Sequence, residues 1–244
     1  MIRSLTADDS DDYFALRGRI KRSPIVRFYS DSIEREHKLD EAAKKDWCAE
    51  SDAHCIRGTI EQGELLGIAM LTRQGGLGSP LVELEAAYMD ERLRGTGKGR
   101  EAYEDAVEWA KGKGYKYVIG FVRDEFTPAH HLCDLLGFVH AYTIYNEKWA
   151  DGSTCHTKAY VMSLEGANAE ERRTNTLRDM KDILHYAQAC IHAPQPQPQQ
   201  QALRGLAEML ISLEETPAAS PVRRTGIEAV PTHLRPAPER RRLG

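Results

Sequence analysis

Residues 81–110 read LVELEAAYM-DERLRGTGKGR-EAYEDAVEWA, and this stretch decides the fold. A run of nine residues, seven of them apolar and typical of a buried strand, leads into a turn with glycines at every second position, 95, 97 and 99. Behind the turn, apolar residues recur at i, i+3, i+4 and i+7, which predicts a helix lying on a sheet: Tyr103, Ala106, Val107 and Ala110. Glycines leave the backbone bare, and a helix that starts there aims its unpaired amides into the turn. The stretch therefore predicts a phosphate-binding turn between a strand and a helix.

Two familiar phosphate-binding motifs do not fit the spacing. A nucleoside-triphosphate P-loop needs Gly-Lys followed by Ser or Thr, whereas Gly99 follows Lys98 and no glycine lies five residues before Gly97. A dinucleotide fingerprint can be written as Gly97-x-Gly99-x-x-Ala102. Its first glycine should follow the strand directly, however, and residues 90–96 intervene.

The remaining pattern, Arg-x-x-Gly-x-Gly at 94–99, resembles motif A of the GNAT superfamily of acyl-CoA-dependent N-acyltransferases. A second segment, PAHHLCDLLGF at 128–138, is similar to the later Ala-x-x-Leu-Tyr-x-x-x-Gly-Phe segment of that family and stands in the expected order. Residues 2–17 resemble the family's opening strand and first helix, and residues 30–36 resemble the loop that follows. The resemblance covers about residues 1–166, the expected N-acetyltransferase domain.

The resemblance implies a mixed α/β (α+β) architecture, the GNAT fold, in which helices flank a mostly antiparallel central sheet. It implies that acetyl-CoA is the donor and that a primary amine attacks it directly in a ternary complex. The residues implied in donor binding are the end of the strand and the turn: Tyr88, Met89, Arg94, Gly95, Thr96, Gly97, Lys98, Gly99 and Arg100. The sequence leaves the acceptor open between a small amine, a protein N-terminus and a lysine.

N-acylation needs a group that takes a proton from the amine, and the strand before the turn offers Glu83 and Glu85. Strand periodicity places both on the face shared by Ala87 and Met89, so both would look into one cleft. By alignment with the turn, the resemblance assigns to Glu83 the position of the catalytic glutamate of the histone-acetylating branch. Either glutamate could act directly or through water, and either could instead be an exposed residue of a sheet face.

The departing thiolate must finally receive a proton, and the family commonly uses the tyrosine of its Leu-Tyr pair for this step. Here Leu132 and Cys133 stand in that place, so the tyrosine hydroxyl is missing. The Cys133 thiol, with an ordinary pKa of about 8.5, could donate the proton, or it could be a small buried apolar residue. The spacing of Cys and His is not typical of zinc, and no metal site is expected.

The composition of the 244-residue chain is ordinary for a globular protein, with 41% hydrophobic and 29% charged residues and a formal net charge of −4. Acidic residues outnumber basic ones within residues 1–166, which suits a cationic amine as acceptor. Five cysteines without a Cys-x-x-Cys pair predict free thiols. Apolar runs are too short to span a bilayer and a signal-peptide core is missing, so the expected location is the cytoplasm.

Beyond residue 166 four segments are predicted: a helical extension over 167–193, a Pro/Gln linker over 194–200, a short amphipathic helix over 201–215 and a disordered basic tail over 216–244. The extension carries an apolar stripe of Leu177, Met180, Leu184, Ala187 and Ile191. Because such stripes need burial, the two helices are expected to form a homodimer or partner surface. The tail lacks interleaved aromatic residues and a DNA-binding motif, so nucleic acid is not the expected partner.

Two other functions compete with an acetyltransferase. A non-catalytic acyl-CoA-binding regulatory or adaptor module, acting through residues 167–244, would explain the missing tyrosine, whereas the glycine turn and the strand carboxylates favour an enzyme. A nucleic-acid-modifying acyltransferase guided by the arginine-rich tail predicts salt-sensitive binding that a tail deletion abolishes.

Overall fold

Seven strands form one mixed sheet in the computed structural model, which describes residues 1–36, 38–75 and 78–190. The strands in chain order are β1 Ile2–Ser4, β2 His54–Glu61, β3 Glu64–Arg73, β4 Leu81–Met89, β5 Tyr117–Arg123, β6 Val139–Lys148 and β7 Thr154–Ser163. The α-helices are α1 Ser10–Lys21, α2 Ser30–Glu36, α3 Glu41–Cys48, α4 Lys98–Gly112, α5 Thr127–Leu136 and α6 Ala169–Cys190. Short 3-10 helices cover Ala7–Asp9, Pro24–Tyr29 and Glu91–Leu93.

The strands lie in the order β1-β2-β3-β4-β5-β7-β6, and of the described pairs only β4 and β5 run parallel. Helix α4 connects these two strands, because a parallel pair needs a crossover instead of a hairpin. The other neighbouring strands are antiparallel. The predicted mixed, mostly antiparallel sheet flanked by helices is therefore confirmed.

Pairing between β4 and β5 stops part of the way along both strands. The parallel ladder ends with Leu84 opposite Gly120. On the other side of β4, Leu84 and Ala86 pair with consecutive residues of β3, which makes Glu85 the extra residue of a β-bulge. A bulge bends and twists its strand, so β4 leaves β5 beyond Leu84. We call the gap between residues 85–89 of β4 and the end of β5 the opening.

Helices cover both faces of the sheet. On one face, here the α4 face, α4 and α5 pack against the central strands in a core that includes Val82, Tyr103, Val107, Val118 and Cys133. On the other face, here the α2 face, α1, α2 and α3 cover β2, β3 and the end of β4. Helix α6 covers the same α2 face over β5, β7 and the start of β4. The opening therefore lies between two helical layers.

The C-terminal helix α6 buries apolar side chains against the chain's own sheet. Ile183 and Leu184 are fully buried there, whereas Leu177 is 61% exposed. The predicted apolar stripe is therefore wrong at Leu177, and the buried part of the helix needs no partner to cover it. The homodimer stays a prediction, and residues 191–244, with the predicted linker, second helix and tail, lie outside the described residues. The described helices include none that is long and apolar enough to cross a membrane.

Candidate active site

The glycine turn forms an open loop between β4 and α4. The Asp90 side chain accepts a hydrogen bond from the Arg92 amide at 3.1 Å and so caps the 3-10 helix that begins the turn. Gly95 and Gly97 have φ values of 75° and 84°, in the left-handed region that other residues adopt at a cost. A Cβ added at either glycine would meet no atom within 4 Å, so the space over the turn is open. The loop is thus shaped to receive a ligand.

Backbone amides at the start of α4 point into this space. The helix begins at Lys98, and the Gly97 carbonyl accepts a hydrogen bond from the Glu101 amide at 3.0 Å. The Lys98 amide reaches only the Thr96 hydroxyl oxygen, at 3.5 Å. Within the described part of the chain, the amides of Gly97 and Gly99 have no backbone acceptor. Unpaired amides at the positive end of a helix bind anions, phosphate groups above all.

Three basic side chains surround the turn. Arg94 is exposed and donates through Nε to the Met89 carbonyl at 3.1 Å, which leaves its two Nη groups for a ligand. Arg100 is exposed and lies 4.0 Å from Glu104. Lys98 donates to a glutamate one turn later at 2.8 Å. Ion pairs of this solvent-accessible kind contribute little, so each of the three cations can turn towards a phosphate.

One backbone edge of β4 faces the opening. The Asp90 amide donates to a carbonyl of β3 at 2.8 Å, and because strand residues alternate, the polar groups of Ala87 and Met89 point the other way. Two side chains use this edge: the Tyr29 hydroxyl donates to the Ala87 carbonyl at 2.6 Å, and Arg94 donates to the Met89 carbonyl. The parallel ladder has ended before this point. The edge therefore offers the amides of Ala87 and Met89 to a ligand.

The two predicted donor-binding residues at the end of β4 face opposite sides of the sheet. Tyr88 points to the α2 face, where its ring centroid lies 6.1 Å from that of Tyr29. Met89 points to the α4 face, and a Cβ added at Gly99 would lie 4.0 Å from Met89 Cε. The structure thus brings Met89 to the start of α4 and places Tyr88 on the far side of the sheet.

Glu83 and Glu85 are both buried on the α2 face, with Glu83 6% exposed and the Glu85 side chain 3% exposed. The bulge at Glu85 changes the alternation, so that beyond it Ala86 points to the α2 face while Ala87 and Met89 point to the α4 face. The prediction that the glutamates share a face with Ala87 and Met89 is therefore wrong. Strand periodicity assumes an unbroken ladder, which β4 does not have.

Arg35 of α2 approaches both glutamates. Its guanidinium forms a short, hydrogen-bonded ion pair with Glu85. Burial would lower the Arg35 pKa, but the carboxylates of Glu85, Glu83 and Glu36 more than offset this and raise it above its usual value. Arg35 thereby engages Glu85, while Glu83 lies beside Leu84 at the inner end of the opening.

A buried network holds α2 against α1. Arg17 donates from Nε to Glu36 at 2.7 Å and from Nη2 to Ser32 at 2.6 Å, and the Tyr13 hydroxyl donates to Glu36 at 2.7 Å. All four side chains are buried, and removing one partner of a buried charge pair is costly. The network therefore fixes the side chains that α2 presents to β4. The sequence predicts a loop over residues 30–36, and the chain forms α2 there instead.

Cys133 lies on the α4 face, in the core beneath α5. It packs with Tyr103 and Phe138, and burial, followed by the Asp134 carboxylate, raises the pKa of its thiol to about 12. The sheet separates Cys133 from Glu83, so the structure does not bring these two predicted residues together. A role as proton donor stays a prediction, and the packing is that of a core residue. The described chain contains no group of three or more His, Cys, Asp and Glu that could hold a metal ion.

The sequence matches one protein family over about half its length. A family model described as "Acetyltransferase (GNAT) family" matches residues 22–138. The matched range includes α2, the strands β2 to β5, the glycine turn and both buried glutamates. No curated protein matches the chain.

Several solved structures share the fold. A GNAT-family acetyltransferase from Streptococcus pneumoniae has a TM-score of 0.59 at 20% identity, over 67% of this chain and 98% of that chain. The yncA protein of Salmonella typhimurium, solved with its cofactor acetyl-CoA, has a TM-score of 0.57 at 15% identity, over 69% and 96%. The ribosomal-protein-S18-alanine N-acetyltransferase of Escherichia coli has a TM-score of 0.51 at 17% identity, over 70% and 97%. At these identities the likeness shows the fold alone.

Proposed function

Residues 22–138 are a domain of the acetyltransferase (GNAT) family, and from this premise we propose that the chain transfers the acetyl group of acetyl-CoA to a primary amine by direct attack in a ternary complex. One observation carries the proposal. The glycine turn, which suits a pyrophosphate, and the buried glutamates, which suit an amine, lie at the two ends of the same opening along β4. A donor laid along the open edge would join the two ends.

The donor side of the proposal rests on the turn. The amides of Gly97 and Gly99 would bind phosphate oxygens, while Arg94 and Arg100 add positive charge from the rim. From the turn, the extended part of acetyl-CoA that leads to the thioester would follow the open edge of β4. The Ala87 and Met89 amides there are available to its polar groups. The thioester would then lie near the bulge, within reach of the α2 face.

The acceptor side of the proposal rests on the carboxylates. An amine attacks a thioester only after losing its proton, and Glu83 is assigned to accept it, directly or through a water molecule. The amine nitrogen then bonds to the carbonyl carbon, the C–S bond breaks, and the thiolate takes up a proton. Arg35 holds Glu85 beside this site and α2 in turn holds Arg35, so the charges are in place before the substrate arrives.

Calorimetric titration of acetyl-CoA into the full chain tests donor binding, and thiol release with a panel of amines, amino acids and peptides tests transfer. Gly97→Asp should abolish binding, because its carboxylate would stand in the phosphate site. Gly63→Asp is the matched control, since Gly63 also has a positive φ, 81°, and open space around it, but lies in the β2–β3 turn. Retained binding in Gly97→Asp, or equal loss in both variants, would contradict the assignment of the turn.

Glu83→Gln tests the base. We expect kcat to fall about 100-fold, the lower end of what general base catalysis contributes, with acetyl-CoA affinity near the wild-type value. The alkaline dependence of turnover should shift in the same variant. An unchanged kcat and pH profile would remove Glu83 from the mechanism. Glu85→Gln is the comparison variant, because it breaks the pair with Arg35 and should affect stability as well as turnover.

A second candidate is a non-catalytic acyl-CoA-binding module. The observation that favours it is Cys133, a buried core residue where the family's tyrosine is expected. The module predicts acetyl-CoA binding without thiol release across the whole panel. Thiol release with any amine would eliminate it.

A further inference from the structure

The 3-10 helix Pro24–Tyr29, here called the strap, crosses the mouth of the opening. At one end, the Tyr29 hydroxyl donates to the Ala87 carbonyl of β4 at 2.6 Å. Two residues earlier in the strap, the Arg27 carbonyl accepts from Arg123 Nη1, at the end of β5, at 2.6 Å. Between them, the ring of Phe28 stacks on a ring of the β5–α5 loop with centroids 4.1 Å apart. The strap therefore joins β4 and β5 beyond the point where their parallel ladder ends.

The Tyr29 hydroxyl occupies a defined place on the open edge of β4. In an extended strand the N–H and C=O of one residue point to the same side, so the Ala87 amide points into the opening beside the carbonyl that Tyr29 contacts. An oxygen atom that accepts a hydrogen bond from the Ala87 amide would therefore lie next to the Tyr29 hydroxyl. Once the hydroxyl hydrogen turns away from the Ala87 carbonyl, the Tyr29 hydroxyl and the Ala87 amide would form a pair of donors to that one oxygen.

We propose that Tyr29 is a catalytic residue of the acetyl transfer, whose hydroxyl, together with the Ala87 amide, binds the thioester carbonyl oxygen. The inference rests on the proposed function. When the amine nitrogen bonds to the carbonyl carbon, the π electrons of the C=O bond move onto this oxygen, and both donors stabilise the negative charge. The electron pair then returns, the C–S bond breaks, and the departing thiolate takes up the proton that the nitrogen still has to lose, since Glu83 has already accepted the first proton before the attack. Donors placed in advance around such an oxygen are among the largest contributions to catalysis.

The surroundings of Tyr29 suit a hydrogen-bond donor. Its ring is held edge-on by Tyr88 and by Phe126, each with centroids 6.1 Å away, so the hydroxyl position is fixed. Burial raises the pKa of Tyr29 above its ordinary value, even with the Arg17 guanidinium 5.8 Å from the ring centroid, so the hydroxyl keeps its proton. The hydroxyl hydrogen rotates about the C–O bond, which lets it pass from the Ala87 carbonyl to a ligand oxygen.

The test compares two ligands that differ only at the carbonyl. Acetyl-CoA carries C=O next to sulfur, and S-ethyl-CoA carries CH₂ in its place. Tyr29→Phe, which keeps the ring, should weaken acetyl-CoA binding about fivefold, the value of one hydrogen bond, and leave S-ethyl-CoA binding unchanged. It should also lower kcat about 100-fold. Tyr145→Phe is the matched control, because the Tyr145 side chain is 67% exposed on β6, and it should change neither quantity.

Each other outcome overturns a different claim. Equal weakening of both ligands would mean that Tyr29 only holds the strap in place, and an unchanged kcat would remove it from catalysis; the acetyltransferase proposal would survive both results. Failure of the wild-type chain to bind either ligand would overturn the proposed function and this inference together. Thermal unfolding of the variant, measured alongside, identifies any loss that comes from the fold.

Discussion

Replacing Glu104 with alanine should destabilise the protein more than replacing its partner Arg172 with methionine. Arg172 of α6 donates from Nη1 and Nη2 to the Glu104 carboxylate of α4 at 2.9 and 2.8 Å, and from Nε to the Leu136 carbonyl at 3.1 Å. The Arg172 side chain is 3% exposed and the Glu104 side chain is 31% exposed. Water therefore reaches the carboxylate of this pair but not the guanidinium.

This difference in exposure determines how much unfolding free energy each substitution removes. Glu104→Ala leaves a buried guanidinium without its counter-ion, which costs about 3–5 kcal/mol of unfolding free energy. Arg172→Met leaves a carboxylate that water can solvate and one unpaired carbonyl, Leu136, which costs about 1–3 kcal/mol. The double variant removes both charges, so it should be more stable than the sum of the two single changes indicates.

Urea unfolding of the wild type, both single variants and the double variant measures the three differences in unfolding free energy from the wild type, provided that the slope m stays constant. A cost for Glu104→Ala below about 1 kcal/mol would show that the pair behaves as a surface salt bridge. An Arg172→Met variant that is less stable than Glu104→Ala would likewise refute the reasoning from burial. The first result would mean that the apolar contacts of α6 with the sheet hold this helix in place, and the second that the contact of Arg172 with the Leu136 carbonyl outweighs the ion pair.

Two further predictions concern the backbone and the pH dependence. Gly137→Ala should lower Tm much more than Gly152→Ala: both glycines have positive φ, 90° and 82°, but a Cβ at Gly137 would lie 2.3 Å from the Ala169 carbonyl oxygen, whereas Gly152 has open space. Equal shifts in thermal unfolding would contradict the clash. The Arg3 guanidinium, by hydrogen bonding, holds the pKa of Asp9 well below its usual range, so this pair stabilises the fold above about pH 4 and the stabilisation is lost as the pH falls further. The destabilisation caused by Asp9→Asn should therefore shrink on acidification, and a constant difference between pH 7 and pH 2 in urea unfolding would contradict the assignment.

The sequence predicts the turn well because its signals are local. Glycines 95 and 97 adopt the left-handed conformation that their spacing indicates, and the apolar stripe behind them forms α4. The strand-like run that precedes the turn forms β4, as its composition indicates. Within this region, Glu83 and Glu85 are neighbours in the chain and in space, and both are buried as a site would require.

The features that sequence reasoning missed depend on pairing between distant segments. The register of β4 against β3 decides to which face of the sheet Ala87 points. A one-residue shift of that register leaves no local pattern in the sequence. Tyr29 reaches the Ala87 carbonyl across 58 residues of chain. The Arg17–Glu36 pair likewise spans two helices, and only the folded chain shows that the carboxylate and the guanidinium are buried together.

The bulge at Glu85 makes strand length a determinant of function. Leu84 and Ala86 of β4 pair with two consecutive residues of β3. Over this stretch β4 therefore carries one residue more than β3. Deleting Glu85 would leave Ala86, Ala87, Tyr88 and Met89 on their present faces, because the deletion removes only the surplus residue. It would also let β4 lie straight and continue its ladder with β5, so that the gap proposed to receive the donor would close. A mismatch of one residue between neighbouring strands, and not the chemistry of any side chain, thus separates a sheet that can admit a substrate from one that cannot.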